Sequence, residues 1–250
     1  MIKKIINKLK QHSEAWYRKK YYDIAKTLFY KGTEPDYNKL SDTDIKRLIM
    51  YLTPNHGGKM LDMFSISTSC HDNKTCQARH ATPGTPCYHC YAWEQLENYL
   101  SQRIKLHLAT HFYTTHRIKA SQVPRLNIQI ARYESFGEIN NTLQLENYAT
   151  IAEKNPVVIF TLWSKNLAMI DRFIAKHGKP TNWICVQSNE KVDHFEPAKY
   201  WWIDKTFTVV TEENARENNL NVNCAASACN ECRICYTKTA DVVNVFELLR

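Results

Sequence analysis

The stretch VVIFTLWSKNLAMIDRFIAKHG, residues 157–178, changes its period once and so sets the fold class. From Val157 to Trp163 nearly every residue is apolar or β-branched, the composition of a strand buried on both faces, as in a parallel sheet. From Lys165 to His177 the apolar residues recur at helical spacing, and Gly178 stands where a helix closes. A buried strand that runs straight into a helix is one unit of a βα array.

The unit repeats on both sides. Leu126, Ile128 and Ile130 alternate with Asn127, Gln129 and Ala131 as a strand, and Leu143 to Lys154 supplies the helix after it. Upstream, Leu61 to Thr68 reads as a short strand. Tyr91 to about Arg117 lacks Gly and Pro and carries Leu96, Leu100, Ile104 and Leu108 at helical spacing, which predicts one long helix. Downstream, Asn182 to Gln187 and Phe207 to Val210 read as further strands. About five such units joined by right-handed crossovers predict an α/β fold, a partial (β/α) barrel or an open parallel sheet.

Residues 1–56 form a helical lead-in to this domain, which occupies residues 57–250. Ile2, Ile5, Ile6, Leu9, Trp16, Ile24 and Leu28 recur at near-helical spacing. Ser41, with Asp44 three residues on, resembles a capping box for a helix through about Leu52, and Pro54 and Gly57-Gly58 mark its exit. The lead-in also carries the charge. Residues 1–31 hold nine Lys/Arg and two Asp/Glu, which is +7 of the chain's net +8. A lysine-rich outer face on a packed helix is the reading; nucleic acid is the macromolecule such a face would attract.

No apolar run approaches the roughly 20 residues that span a bilayer, and lysines 3, 4, 8 and 10 interrupt the apolar residues of the N-terminus. The expected address is cytoplasmic, with no membrane partner. Thiols stay reduced there, so grouped cysteines are for metal and not for disulfides. With six glycines and no G-x-G-x-x-G, P-loop or G-x-S-x-G element, the dinucleotide, NTP and serine-hydrolase readings find no support.

Eight of the nine cysteines fall into two groups. Cys70, Cys76, Cys87 and Cys90 follow C-x5-C-x10-C-x2-C, with the last pair directly before the predicted long helix, whose N-terminal amides favour negative charge. Cys224, Cys229, Cys232 and Cys235 follow C-x4-C-x2-C-x2-C, closer to ferredoxin-like runs than to the separated pairs of zinc ribbons. An iron-sulfur cluster, of 4Fe-4S type and one or two per chain, is the expected cofactor; zinc is the alternative. Cys185, in an apolar strand, is a small buried side chain.

Function in parallel α/β folds collects at the carboxyl ends of strands. Those ends carry Ser69 and the first cysteine loop, Glu134 to Glu138, Ser164-Lys165-Asn166, Gln187-Ser188-Asn189 and Thr211 to Asn214. Glu134 and Glu138 suit substrate amines or proton transfer, with Arg132 as an ion-pair partner, and Lys165 suits an anion or a substrate carboxylate. His71, His80 and His89 are read as surface or hydrogen-bonding residues, since four thiols already complete a site. His107 and His111, four apart on the long helix, have the spacing to share a metal. Trp163, Trp201 and Trp202 are read as core or interface residues.

Several blocks resemble a known family in order and placement over roughly residues 60–247. They are Thr75-Cys76-Gln77-Ala78, Pro86-Cys87-Tyr88-His89-Cys90-Tyr91-Ala92, Arg132 to Glu138, Phe160 to Asn166, Cys224-Ala225-Ala226 and Cys229 to Tyr236. Together they resemble the phage "gene product eighty-eight" family, which implies a phage or prophage protein of the host cytoplasm. The C-x-x-C-Y-A block is also similar to the end of the radical SAM cluster motif, in which three cysteines hold a 4Fe-4S cluster whose fourth iron binds S-adenosylmethionine. By the same resemblance, Gly137-Glu138 is similar to the Gly-Gly-Glu element that holds the methionyl amine. The chain departs from that pattern: ten residues separate Cys76 from Cys87, Phe136 replaces one glycine, and Cys70 adds a fourth thiol.

The sequence therefore predicts a phage-type iron-sulfur protein with a radical SAM-like fold and a redox or regulatory role. Its partner would be a host protein or a small molecule. The rivals are an active radical SAM-like enzyme and a zinc-stabilised module that binds nucleic acid or a host protein.

Overall fold

The computed structural model describes residues 13–53, 58–60, 63–224 and 228–249. The apolar pattern from Ile2 to Leu9, the Pro54 and Gly57 exit signals and Leu61 lie outside the described residues. Two helices lead in, α1 (Glu14–Lys31) and α2 (Asp42–Leu52). The chain then runs β1 (Phe64–Ile66), α3 (Lys74–His80), α4 (Tyr91–Asn98), α5 (Leu100–Thr115), β2 (Ile130–Tyr133), α6 (Thr142–Lys154), β3 (Ile159–Ser164), α7 (Leu167–His177) and β4 (Trp183–Ser188). It ends with β5 (Lys205–Val210), α8 (Glu212–Glu217), α9 (Cys229–Cys232) and β6 (Val243–Leu248).

The six strands form one all-parallel open sheet whose order follows the chain from β1 to β6. Side chains of alternate strand residues point to opposite faces. On one face Ile66, Ala131, Tyr133, Phe160, Leu162, Trp183 and Cys185 join the helices in the main core. On the other, Ile130, Ile184, Val186, Phe207 and Val245 pack on Met60, Met63, Cys235 and Tyr236. The predicted parallel α/β sheet is thus present, with six strands where about five units were read. The strand beyond those read from the sequence is β6, at the sheet edge, where Val245 is buried against Phe207 of β5.

The lead-in shares the domain's core. Tyr21, Ala25 and Leu28 of α1 and Ile45, Leu48 and Leu52 of α2 are buried in the helix-face cluster, and the Tyr21 hydroxyl donates to the Asp44 carbonyl at 2.7 Å. Ser41 caps α2, accepting from the Asp44 amide at 3.1 Å, and its hydroxyl donates back to the Asp44 carboxylate at 2.8 Å. Among the described residues, no helix is long and apolar enough to cross a membrane.

Three boundaries differ from expectation. The long helix breaks at Tyr99, whose φ of −120° and ψ of 83° leave the helical region. Leu96 is buried in α4 beside the first cysteine loop while Ile104 and Leu108 are buried in α5; the break lets both segments bury their apolar faces and leaves Leu100 half exposed. The second and third strands start later than their apolar runs. Asn155 explains both shifts: its side chain accepts the Leu126 amide at 2.8 Å, and its carbonyl accepts the Val158 amide at 3.0 Å in a turn that leaves Val157 exposed.

Candidate functional site

The carboxyl ends of β1 to β4 open into one cleft of about 650 Å³, its mouth included, walled on one side by Cys70, Cys76, Cys87 and Cys90. Local capping places each thiol. Cys70 opens a single 3-10 turn directly after β1. The Asn73 side chain then accepts the Cys76 amide at 3.0 Å, which sets Cys76 in the first turn of α3, and its amide donates to the Glu138 carbonyl at 3.1 Å. Thr85 accepts the Tyr88 amide at 3.2 Å to start the turn that carries Cys87, and Cys90 is the residue before α4.

Burial pushes the Cys70 thiol up to about 12 and raises Cys76 and Cys90 as well. These thiols are therefore protonated in the metal-free protein, and a metal or cluster must displace their protons on binding. Among the described residues, no three His, Cys, Asp or Glu side chains converge closely enough to hold a single ion. Zinc needs four donors about 2.0–2.3 Å from one point. A multi-iron cluster spreads its thiolate ligands over several metal atoms and takes a wider ring of sulfurs.

Polar side chains share the lining. Glu138 is held by donors from three segments: the Ile139 amide at 2.9 Å, the Ser164 hydroxyl at 2.5 Å and the Lys165 amide at 2.7 Å, with Arg79 at 3.8 Å. Glu134 is buried deeper and takes hydrogen bonds from the Thr68 amide and hydroxyl, the Gln144 amide and the Tyr148 hydroxyl. Burial nevertheless pushes its carboxyl up to about 8. Its four protein partners make Glu134 a brace between β1, β2 and α6 rather than an open proton acceptor. Gly137, between them, has φ of 77° and lies against Thr68. Lys165 crosses from β3 to donate to the Ser188 hydroxyl at 2.8 Å, and among the described residues no carboxylate pairs with it.

Of the strand-end residues read from the sequence, Ser188 and Lys165 face the cleft, whereas Asn166 does not. The Asn166 amide donates to the Ile139 carbonyl at 3.3 Å, which fixes the loop after Glu138. Gln187 and Asn189 stitch the segment before β5, and Thr211 caps α8 while donating to Asp193. The histidines follow their expected bonding roles: His71 and His80 flank Trp93, and His80 Nδ1 lies 2.9 Å from the Cys87 carbonyl. His107 and His111 do not share a site. His107 pairs with Asp72 at 2.9 Å and His111 meets the Tyr37 hydroxyl at 2.9 Å.

The second cysteine group lies against the other face of the sheet. Cys224, Cys229, Cys232 and Cys235 line a small pocket with Lys59 and Tyr236. Lys59 Nζ stands 3.8 Å from the Cys224 sulfur and 2.7 Å from the Glu247 carboxylate. Thr161 of β3 donates to the Cys235 carbonyl at 3.2 Å, anchoring the segment under the sheet. Burial pushes Cys224 up to about 11 and Cys235 up to about 12.

Arg132 and Trp201 correct the sequence reading. Arg132 pairs with neither Glu134 nor Glu138; its guanidinium carbon lies 4.2 Å from the centroid of the Trp163 ring. Trp163 lines the cleft while packing on the second core cluster, and Trp201 is 83% exposed while Trp202 is buried. The missed signal is spacing by two. Arg132 shares a face with Ile130, and Trp163 with Thr161, so both project toward the face that holds the second cysteine group.

No family model, curated protein or solved structure matches this chain. The functional reading rests on its own residues.

Proposed function

We propose that this chain is an iron-sulfur protein whose first cysteine group holds a 4Fe-4S cluster at the carboxyl edge of a parallel sheet, with a redox or regulatory role in the host cytoplasm. Cys76, Cys87 and Cys90 are the cluster ligands, and Cys70 is the fourth thiol. The observation that carries this reading is that all four first-group cysteines line the strand-end cleft. Cys224, Cys229, Cys232 and Cys235 form a second centre. The ordered blocks that resemble the phage gene product eighty-eight family fit the same reading.

Anaerobic purification with iron, zinc and acid-labile sulfide counted per chain, followed by EPR before and after dithionite, tests it. Iron with matching sulfide supports the reading. Stoichiometric zinc without sulfide sinks it and favours the zinc-stabilised binding module, for which the lysine-bearing α1 and the arm before it are the nucleic-acid surface.

One observation favours the enzymatic variant. Glu138 and Lys165 place an acid and a cation across the cleft from the thiols, a pair complementary to an amino-acid zwitterion such as that of S-adenosylmethionine. Release of 5'-deoxyadenosine by the loaded, reduced protein, lost in Lys165→Met, supports that variant; absence of product from fully loaded protein removes it.

A further inference from the structure

Arg132 borders both cysteine groups. It lines the first cleft, and it shares a strand face with Ile130, which packs in one cluster with Cys235 and Tyr236 of the second segment. The register accounts for this. Arg132 is paired with Thr161 on β3, and the Thr161 hydroxyl donates to the Cys235 carbonyl at 3.2 Å, so the second cysteine segment lies directly beneath that row. Trp163 supports the guanidinium at 4.2 Å, and Arg132 Nε is buried without a hydrogen-bond partner.

The nearby acids are engaged elsewhere. Glu138 takes the Ile139 and Lys165 amides and the Ser164 hydroxyl, Glu247 takes Lys59, and no ion pair among the described residues includes Arg132. A guanidinium cannot shed its charge, and this one, half-buried at the cleft, has no carboxylate paired with it among the described residues. The groups around it that become anions in ordinary use of the protein are the cysteines, when they ligate metal.

We propose that Arg132 is the shared counter-cation of both cysteine centres, stabilising the metal-bound thiolates on each side of it without being a ligand to either. This rests on the reading of the two groups as metal-holding, but not on which metal they hold. It also assigns Trp163 the task of keeping the guanidinium between the two groups.

The test uses the full chain, stripped of metal under anaerobic reducing conditions and titrated with Co2+ against a competing chelator. Two backgrounds, Cys87→Ser with Cys90→Ser and Cys229→Ser with Cys232→Ser, each isolate the thiolate absorption of one group. Arg132→Met is expected to weaken Co2+ binding at each group about 10–100-fold, the range for losing an outer partner of a metal ligand. Arg132→Gln, neutral but hydrogen-bonding, should weaken it equally, and Arg132→Lys should retain most of the affinity. Equal losses in the Lys and Met variants would mark a packing role and overturn the proposal, as would an unchanged affinity at either group. Wild-type protein that takes up neither Co2+ through its thiols nor iron with sulfide removes both this inference and the metal reading. Protein that binds Co2+ at both groups yet never takes up iron and sulfide refutes the cluster while leaving Arg132 to be judged by its variants.

Discussion

Gly137 approaches Thr68 so closely that a methyl group on its Cα would stand 2.5 Å from the Thr68 hydroxyl and 2.6 Å from its carbonyl oxygen. The contact joins the end of β1 to the loop after β2, and the same Thr68 hydroxyl donates to Glu134. Gly137→Ala therefore meets two penalties, a left-handed φ and a backbone clash, which together cost about 2–4 kcal/mol. Urea unfolding of the metal-free protein measures the loss; an unchanged midpoint would mean that the loop moves away freely.

The two cysteine groups line separate pockets, and each should hold its own metal. Cys87→Ser with Cys90→Ser removes the metal of the first group and leaves that of the second, and Cys229→Ser with Cys232→Ser does the reverse. Metal counts per chain read the outcome. Loss of all metal in either double variant would show that the eight thiols serve one centre.

Glu134 makes stability depend on pH. Its folded carboxyl keeps its proton up to about 8, whereas the unfolded group releases it near 4.5, so between those values the folded state binds more protons. Stability from this residue is fullest below 4.5 and declines as pH rises toward 8, then levels off. Unfolding midpoints across that window should fall more steeply for wild type than for Glu134→Gln. Parallel slopes would show that the four donors around the carboxylate outweigh its burial.

Thiol chemistry should separate the cysteines by burial. Cys70 and Cys185 are each 1% exposed and burial pushes both up to about 12, so alkylation of the native metal-free chain spares them. Cys87, which is only partly buried, should react ahead of both. Mass spectrometry of partially labelled protein gives the order, and early labelling of Cys185 would contradict the position of β4.

The α/β class was legible because each of the central strand-helix pairs changes period within a few residues, as residues 157–178 do. Its boundaries were less legible, because one side chain, Asn155, substitutes for sheet hydrogen bonds at two places and no local pattern announces it. The first-group thiols, Glu134, Gly137, Glu138 and Lys165 were all readable from their place at strand ends, and the cleft includes each of them. Asn166 was not distinguishable from them, since which residue of a turn faces the cleft depends on the carbonyl it finds, here that of Ile139. Arg132 and Trp163 were hidden for a different reason. A charge or an indole inside a strand acquires meaning only when the segment beneath that face is known, and the segment around Cys235 comes 103 and 72 residues later in the chain.

The strand order that follows the chain has a consequence for assembly. Each strand from β2 to β6 pairs with one that has already left the ribosome, so the sheet can extend during synthesis without waiting for distant partners. The exception is the stretch around Cys235, which must seat beneath β3 and β4 across a gap of 74 residues from its Thr161 contact. Until that segment emerges, Met60 and Met63 are the cluster residues made ahead of Ile130, Ile184 and Val186, and the cover from Cys235 and Tyr236 is missing. A chain stalled before residue 229 should therefore aggregate more readily than the full chain.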